Sequence, residues 1–327
     1  MELVRPHTRA TAGRWNWALR PAVREGIAGW LFAMPWIMGF IVFTAGPMLF
    51  ALYASFTRYN ITTPPQWIGL NNYIALFHDS RFYTGLGNTA WMVVVKVPIV
   101  ILASLVLALL LNMNLPGGKF FRTVFYMPNV LSGAAAVFLW LWILTPDGLV
   151  NSALELVGIK GPAWWADPNW TKPGLVVMGM WWIGGNILIF LAGLKGIPEQ
   201  LYEAAAIDGA TGWARTRYIT LPLLSPTIFF QIVTGIIGTF QIFTTAYLIA
   251  SSSATGTAGG DLANGGPGQS LLFYVLYLYN RAFGKTGVGF QMGYASAMAW
   301  VLFIIILVIT LIQLWLARRW VYYETEG

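Results

Sequence analysis

The chain contains no cysteine and only two histidines, His7 and His78. Disulfide bridges, thiolate zinc sites and iron–sulfur clusters all require cysteine ligands, so none of them can form. The two histidines are far apart in the sequence, and a histidine-based metal site is therefore not expected either. We predict that the chain itself binds no metal and no cofactor.

Charged residues are also scarce: Asp, Glu, Lys and Arg make up 9% of the 327 residues, against about 25% in a typical soluble domain. Apolar residues make up 57%, and the mean hydropathy is +0.64. A soluble fold cannot hide this much apolar surface, so soluble enzymes, nucleic-acid-binding proteins and disordered chains are excluded. The composition indicates an integral membrane protein.

Long runs without charge predict six transmembrane helices. A helix needs about 20 apolar residues to cross the hydrocarbon core. The run over residues 26–57 holds 32 uncharged residues, and the run over residues 88–113 is interrupted only by Lys96. We predict an all-α, polytopic membrane helix bundle with spans at about 27–53, 89–113, 123–145, 174–194, 222–250 and 287–317.

The positions of Lys and Arg predict the orientation. Twelve of these residues lie in the N-terminal arm (1–26), in alternate loops and in the tail (318–327), whereas six lie in the other loops. Because positive charge collects on the cytoplasmic side, both termini are predicted to be cytoplasmic. The alternative, a basic targeting peptide, is opposed by Glu2, Glu25 and the lack of a small-residue cleavage site.

The predicted spans contain no Asp or Glu, so a proton relay at membrane depth is not expected. Their single charge is Lys96, which either reaches the outer headgroups with its stem or lines a solute path. The only fragment of a nucleotide-binding loop is Gly284-Lys285-Thr286, where Tyr279 replaces the required glycine. Uphill transport would therefore need energy from another subunit.

The loop over residues 196–222 has a distinct organisation. Pro198 and Gly209 bracket a helix of about three turns, and Glu199 lies in its first turn, where the helix dipole favours a carboxylate. A second short helix is predicted at about 212–220. The middle of this element consists of small residues, and its ends carry charged residues. This arrangement indicates either a docking site for a cytoplasmic partner or an ordinary amphipathic loop helix.

Three groups of residues in this loop resemble the EAA loop of ABC importer permeases: Glu203-Ala204-Ala205, Asp208-Gly209-Ala210, and Ile219-Thr220-Leu221-Pro222 with Pro226. Thr216 departs from that pattern, because an aromatic residue is usual there. The resemblance covers about residues 30–323. The motifs similar to the maltose and glycerol-phosphate branch are Gly46-Pro47 to Thr57, Trp67 to Tyr73, Phe121 to Pro128, Gly265-Gly266-Pro267 and Met292 to Ala297.

The resemblance implies a type I ABC importer permease fold and a carbohydrate permease subunit without a catalytic site in the bacterial cytoplasmic membrane. It implies a second homologous permease, a dimeric ATP-binding cassette ATPase that holds ATP and Mg, and an extracytoplasmic solute-binding protein. It also implies that the loop couples to the ATPase through Glu199, Glu203, Ala204, Ala205, Asp208 and Gly209.

By the same resemblance, the sugar would bind at mid-membrane between spans four and six. Aromatic rings stack on the C–H faces of sugars and amides bond their hydroxyls. The candidates are Trp182, Asn186, Thr239, Phe240, Gln241, Phe243, Gln291 and Tyr294. The alternatives are an interfacial aromatic belt for the tryptophans and helix packing for Gly235 and Gly238.

The sequence leaves three alternative functions open. The same type of importer could carry glycerol phosphate or another small solute, although a polyamine is disfavoured by the absence of intramembrane carboxylates. A self-contained carrier or channel would transport without ATP. A membrane enzyme would need a nucleophile or a metal site at a membrane face, and the sequence offers neither.

Overall fold

The computed structural model describes residues 21–113, 116–255, 260–284 and 289–322. The predicted basic arm therefore lies outside the described residues as far as Arg20, as do Lys285, Thr286 and the tail beyond Tyr322. The chain divides into two units, Met1–Ala51 and Leu52–Gly327.

The first unit contains helix α1 (Pro21–Phe40) and a π-helical turn, Ile41–Ala45, which leads into helix α2 (Gly46–Ser55). The π turn immediately precedes Pro47, which has no N–H to donate to the regular helical ladder. The N–H of Gly46 instead donates to the carbonyl of Ile41, five residues back. This i to i+5 hydrogen bond lets the helix continue past Pro47, so residues 25–55 remain helical.

The second unit is almost entirely helical. Its helices before the predicted coupling loop are α3 (Asn71–Phe77), α4 (Ser80–Asn112), α5 (Gly118–Tyr126), α6 (Gly133–Ile143), α7 (Leu149–Leu156), α8 (Pro168–Gly179) and α9 (Gly184–Lys195). The helices that follow are α10 (Glu199–Ile207), α11 (Gly212–Arg215), α12 (Leu221–Leu223), α13 (Ser225–Phe240), α14 (Thr244–Ala250), α15 (Tyr274–Ala282) and α16 (Met292–Ala317).

Four helical segments are long and apolar enough to cross a membrane: 25–55, 80–112, 225–250 and 292–317. Two bent pairs of helices, over 118–143 and 168–195, raise the number to six if each pair is one span. The described residues are thus those of a multi-pass membrane protein, because each of these segments exceeds the length of a buried core helix.

The third predicted span, 123–145, is not one helix. A 3-10 turn at Met127–Val130 follows α5, and the chain then bends by 102° into α6. Pro128 lies in that turn and removes a backbone donor, while Leu131 and Ser132 have extended backbone angles. The uncharged run over residues 123–146 does not reveal this break, because the absence of charge says nothing about where a helix bends.

The fourth and fifth predicted spans are also interrupted. A 3-10 turn at Met180–Trp182 bends the fourth span by 51° between α8 and α9. In the fifth span, α13 ends at Phe240 and α14 begins at Thr244, so residues 241–243 leave the regular helix. Trp182 lies in the first break, and Gln241 and Phe243 lie in the second, so these predicted path residues are not on regular α-helix.

Helix α4 is the central element of the second unit, since it contacts α8, α9, α13 and α15. Its C-terminal half packs against α9, where Ile101 and Leu105 share an apolar cluster with Phe190 and Leu191. Its N-terminal half contacts two further clusters, through Met92 and through Phe82. The core of this unit is therefore assembled around one 33-residue helix.

A short antiparallel pair of strands, β1 (Thr57–Arg58) and β2 (Gln66–Trp67), adjoins the start of α16. The N–H of Gly293 donates to the carbonyl of Tyr59 at 3.0 Å. A β-carbon on Gly293 would lie 2.1 Å from the carbonyl oxygen of Thr57. Only a glycine lets α16 approach this backbone so closely.

We predict that Gly293→Ala destabilises the protein by about 1–3 kcal/mol, because two backbones must separate to admit the methyl group. Thermal unfolding of the detergent-solubilised chain should show the midpoint falling by several degrees. The matched control is Gly87→Ala on α4, where a β-carbon has no neighbour within 4 Å. Equal midpoints for the two variants would contradict the close approach at Gly293.

Candidate functional site

A cleft of about 230 Å³, whose mainly apolar wall carries several polar side chains, lies beside the middle of α4. Helix α4 contributes Lys96, the bend between α8 and α9 contributes Trp182 and Asn186, and α13 contributes further side chains. We call it the Lys96 cleft, and its polar or aromatic lining residues are Lys96, Trp182, Asn186, Gln231, Thr234 and Thr239. The bend at Met180–Trp182 brings Trp182 to this cleft.

The sides of the Lys96 cleft are held by hydrogen bonds and close helix packing. Nε2 of Gln231 donates to the backbone carbonyl of Asn186 at 2.9 Å and so joins α13 to α9. Oγ1 of Thr234 donates to the carbonyl of Phe230 at 2.8 Å. Gly179 lies against the aliphatic stem of Lys96, since a β-carbon there would come within 2.9 Å of Cε.

The predicted path residues separate into two groups. Trp182, Asn186 and Thr239 line the Lys96 cleft together. Gln291 and Tyr294 instead line a second pocket of about 400 Å³, with residues of β1 and α3. The sequence does not reveal this separation, because it depends on how the ends of α4 and α16 pack.

The three remaining predicted path residues line neither the cleft nor the second pocket. Phe240 is 4% exposed and packs in an apolar cluster with Leu302. Gln241 is exposed just beyond the end of α13. Phe243 belongs to a group of rings with Tyr247 and Tyr279, whose centroids lie 5.5 and 5.1 Å from its own.

Gln231 and Thr234 line the cleft but were absent from the candidates. Both belong to a stripe of small and polar residues on α13 that also contains Gly235 and Gly238, which line the cleft as well. Their recurrence at three- and four-residue spacing indicates either close helix packing or a solute path, and the structure places both residues at the cleft. The spacing identifies the face of the helix, but it does not show where along that face the cleft begins.

An ionic cluster joins the N-terminus of α4 to α15 and α16. Asp79 caps α4 by accepting from the N–H of Arg81 at 3.0 Å. Its other carboxylate oxygen accepts from Nη2 of Arg281 at 2.8 Å, from the hydroxyl of Tyr294 at 2.7 Å and from that of Tyr277. No sequence pattern predicted this pair, because Asp79 and Arg281 are 202 residues apart.

The cluster shifts the pKa values of its members. Burial opposes ionisation of Asp79, but hydrogen bonds from Tyr277, Tyr294 and Arg281 outweigh it, so the pKa of this carboxyl is lowered. Burial, assisted by the hydrogen bond to Asp79, raises the pKa of Tyr277 to about 12. Because of these shifts, Asp79 stays ionised and Tyr277 stays neutral over a wide pH range. The carboxylate therefore keeps its hydrogen bonds to the tyrosines and to the cationic arginine.

The predicted coupling loop forms a compact, exposed element. Helix α10 ends in a Schellman motif: the N–H of Ala210 donates to the carbonyl of Ala205, and that of Gly209 to Ala206. Gly209 has a φ of +75°, which favours glycine. A 3.0 Å bond between the hydroxyls of Tyr202 and Thr220 joins α10 to a π turn, Thr216–Thr220.

Of the predicted coupling residues, Ala205 is half-buried and the other five are exposed: Glu199, Glu203, Ala204, Asp208 and Gly209. Large apolar side chains are also exposed on the same element: Ile207 is 87% exposed, Trp213 71% and Tyr218 74%. We call this the loop surface, meaning the exposed side chains over residues 199–218. Exposed apolar groups bordered by charge are typical of a protein-binding surface.

Residues 99–322 match the family described as the binding-protein-dependent transport system inner membrane component. The chain belongs to this family. The permease is 40% identical to the probable ABC transporter permease protein YesP of Bacillus subtilis, covering 93% of this chain and 94% of that protein. It is 35% identical to the lactose transport system permease protein LacF of Rhizobium radiobacter, covering 90% and 95% of the two chains.

Among solved structures, the permease is similar to a chain of a bacterial ABC transporter involved in the import of the acidic polysaccharide alginate. The TM-score is 0.77 and the identity 24%, with 91% of this chain and 97% of that chain covered. This similarity establishes the predicted type I ABC importer permease fold.

We predict that Asp79→Asn destabilises the permease by about 2 kcal/mol or more, because Arg281 loses its counter-charge. The ionised Asp79 stabilises the fold above its unfolded pKa near 3.8, and this contribution is lost as the pH falls through the lowered folded pKa. Unfolding midpoints in detergent should therefore fall more steeply for the wild type than for Asp79→Asn below about pH 4.

The control for this prediction is Asp147→Asn, which neutralises an exposed loop carboxylate. Its midpoint should follow the wild type across the same pH range. Parallel pH curves for Asp79→Asn and the wild type would show that the Asp79 cluster does not contribute to acid stability.

Proposed function

We propose that the permease is the transmembrane subunit of an ATP-driven carbohydrate importer, and that it forms the solute pathway with a second homologous permease. Its similarity to a lactose permease supports the carbohydrate class. The single observation that carries the proposal is the combination of an exposed loop surface with a cleft among the spans that carries several polar side chains. An ATP-driven transporter needs both a pathway for its solute and a contact with the subunit that hydrolyses ATP.

The Lys96 cleft is the proposed part of the pathway within this chain. The ring of Trp182 offers an apolar face for the C–H side of a sugar, and the side chains of Asn186 and Gln231 offer amide groups for its hydroxyls. Binding sites for small solutes combine such apolar walls with a few convergent polar groups. The predicted Phe240 and Gln241 are not included in this proposal, because they do not line the cleft.

The loop surface is the proposed contact with a dimeric ATP-binding cassette ATPase, which would hold ATP and Mg. The Schellman motif at Gly209 fixes the end of α10 and presents Glu203 and Asp208 in a defined arrangement. An extracytoplasmic solute-binding protein would deliver the sugar on the opposite side. The distribution of Lys and Arg supports cytoplasmic termini and therefore a cytoplasmic loop surface.

We predict that Glu203→Lys removes the ATPase from the complex but leaves the second permease bound. Reversing a charge at a docking surface should weaken that contact at least about tenfold. The measurement is mild-detergent purification of the tagged chain from its native membrane, followed by mass spectrometry of the eluted proteins. Gly209→Asp should have the same effect, because it adds charge at a position with a left-handed backbone.

The matched control is Glu155→Lys, which makes the same charge change at an exposed position on α7. It should elute with both partners, as should the wild type. Retention of the ATPase by Glu203→Lys would contradict the coupling role of the loop. A wild-type chain that elutes alone would contradict the importer and favour a self-contained carrier or channel.

A further inference from the structure

We propose that the Lys96 cleft receives a saccharide bearing an acid group, and that the ammonium of Lys96 is its counter-ion. The inference rests on the proposed function, since it names the class of sugar that would pass through the same cleft. It is carried by the place of Lys96 on the cleft at the middle of α4, by the absence of a partner for its charge and by the chemistry of its neighbours.

Lys96 lies at the midpoint of α4, sixteen residues from Ser80 and sixteen from Asn112. At a rise of 1.5 Å per residue, the distance along the helix is about 24 Å in either direction. A four-carbon stem cannot bridge that distance to either end of the helix. The ammonium of Lys96 therefore stays beside the cleft and does not reach either end of α4.

Within the described residues, Nζ of Lys96 has no hydrogen-bond or ion-pair partner. Lys172 on α8 differs: its Nζ donates to Oδ1 of Asn88 at 3.1 Å and lies 5.3 Å from the centre of the Trp91 ring. Apart from Glu25 near the start of the first span, the candidate spans contain no Asp or Glu. The described part of the chain thus offers no carboxylate to balance Lys96.

The groups around Lys96 are neutral and suited to sugar hydroxyls. Asn186, Gln231 and Thr239 supply amide and hydroxyl groups, and Trp182 supplies a ring. A half-buried ammonium without a counter-charge is unfavourable, whereas a charge-assisted hydrogen bond to a carboxylate is about twice as strong as a neutral one. An acidic sugar satisfies both the neutral groups and the cation, and a neutral sugar leaves the charge unbalanced.

Gly179 makes room for this lysine. Because a β-carbon at residue 179 would lie 2.9 Å from Cε of Lys96, a larger residue on α8 would displace the stem.

The test uses the complete importer, purified with its partners and its solute-binding protein and reconstituted in liposomes. The probes are matched pairs of sugars, namely hexuronate mono-, di- and trisaccharides and the same sugars with their carboxyl groups reduced to alcohols. The measured quantities are sugar-stimulated ATP hydrolysis and sugar uptake. The variants are Lys96→Met, Lys96→Arg and the control Lys172→Met.

We expect the acidic member of a pair to stimulate ATP hydrolysis by the wild-type importer more strongly than its reduced counterpart does. Lys96→Met should lower uptake of the acidic sugar at least about tenfold, because it removes a hydrogen bond between charged groups. Lys96→Arg should retain most of this uptake, since the charge is kept. Lys172→Met should preserve the preference for the acidic member.

Three results would overturn the proposal. The first is a wild type that prefers the reduced sugars, and the second is a Lys96→Met variant that transports the acidic sugars normally. The third is loss of the second permease from Lys96→Met on purification, which would mean that Lys96 pairs with a carboxylate of that subunit. If no sugar of either kind stimulates an importer that hydrolyses ATP, carbohydrate import itself is contradicted, and this inference fails with it.

Discussion

The ion pair between Asp79 and Arg281 connects parts of the second unit that are 202 residues apart in the sequence. Asp79 begins the central helix α4, and one of its carboxylate oxygens accepts from α15 through Arg281 and from α16 through Tyr294. Because α4 also contacts α8, α9 and α13, a fixed N-terminus orients every helix that lines the cleft. An ion pair with several hydrogen bonds can do this where apolar contacts alone allow helices to slide.

Interrupted helices are the second feature on which the cleft depends. Backbone outside regular helix is tolerated at membrane depth only where it is buried in protein or lines a polar cavity. The bend at Met180–Trp182 turns Trp182 toward the Lys96 cleft, and the end of α13 at Phe240 follows immediately after Thr239. Two of the three breaks in the predicted spans therefore lie at the cleft, as expected if they serve a solute path.

The cleft and the loop surface are linked through two continuous stretches of chain. Helix α9 carries Asn186 at the cleft and continues to Lys195, just before α10, while α11 and α12 lead directly into α13, which carries Gln231. A displacement of the loop surface would thus move both amide-bearing sides of the cleft. This connection gives the proposed coupling a physical route through rigid helices.

The sequence determined the membrane class, the approximate positions of the long helices and the organisation of the coupling loop. These depend on hydropathy and on short motifs such as Glu203-Ala204-Ala205, whose signals are local. The tertiary structure alone decided that Phe240 is core, that Gln231 lines the cleft, and that Asp79 meets Arg281. An uncharged run conceals a helix break, and no local pattern specifies contacts between residues 202 positions apart.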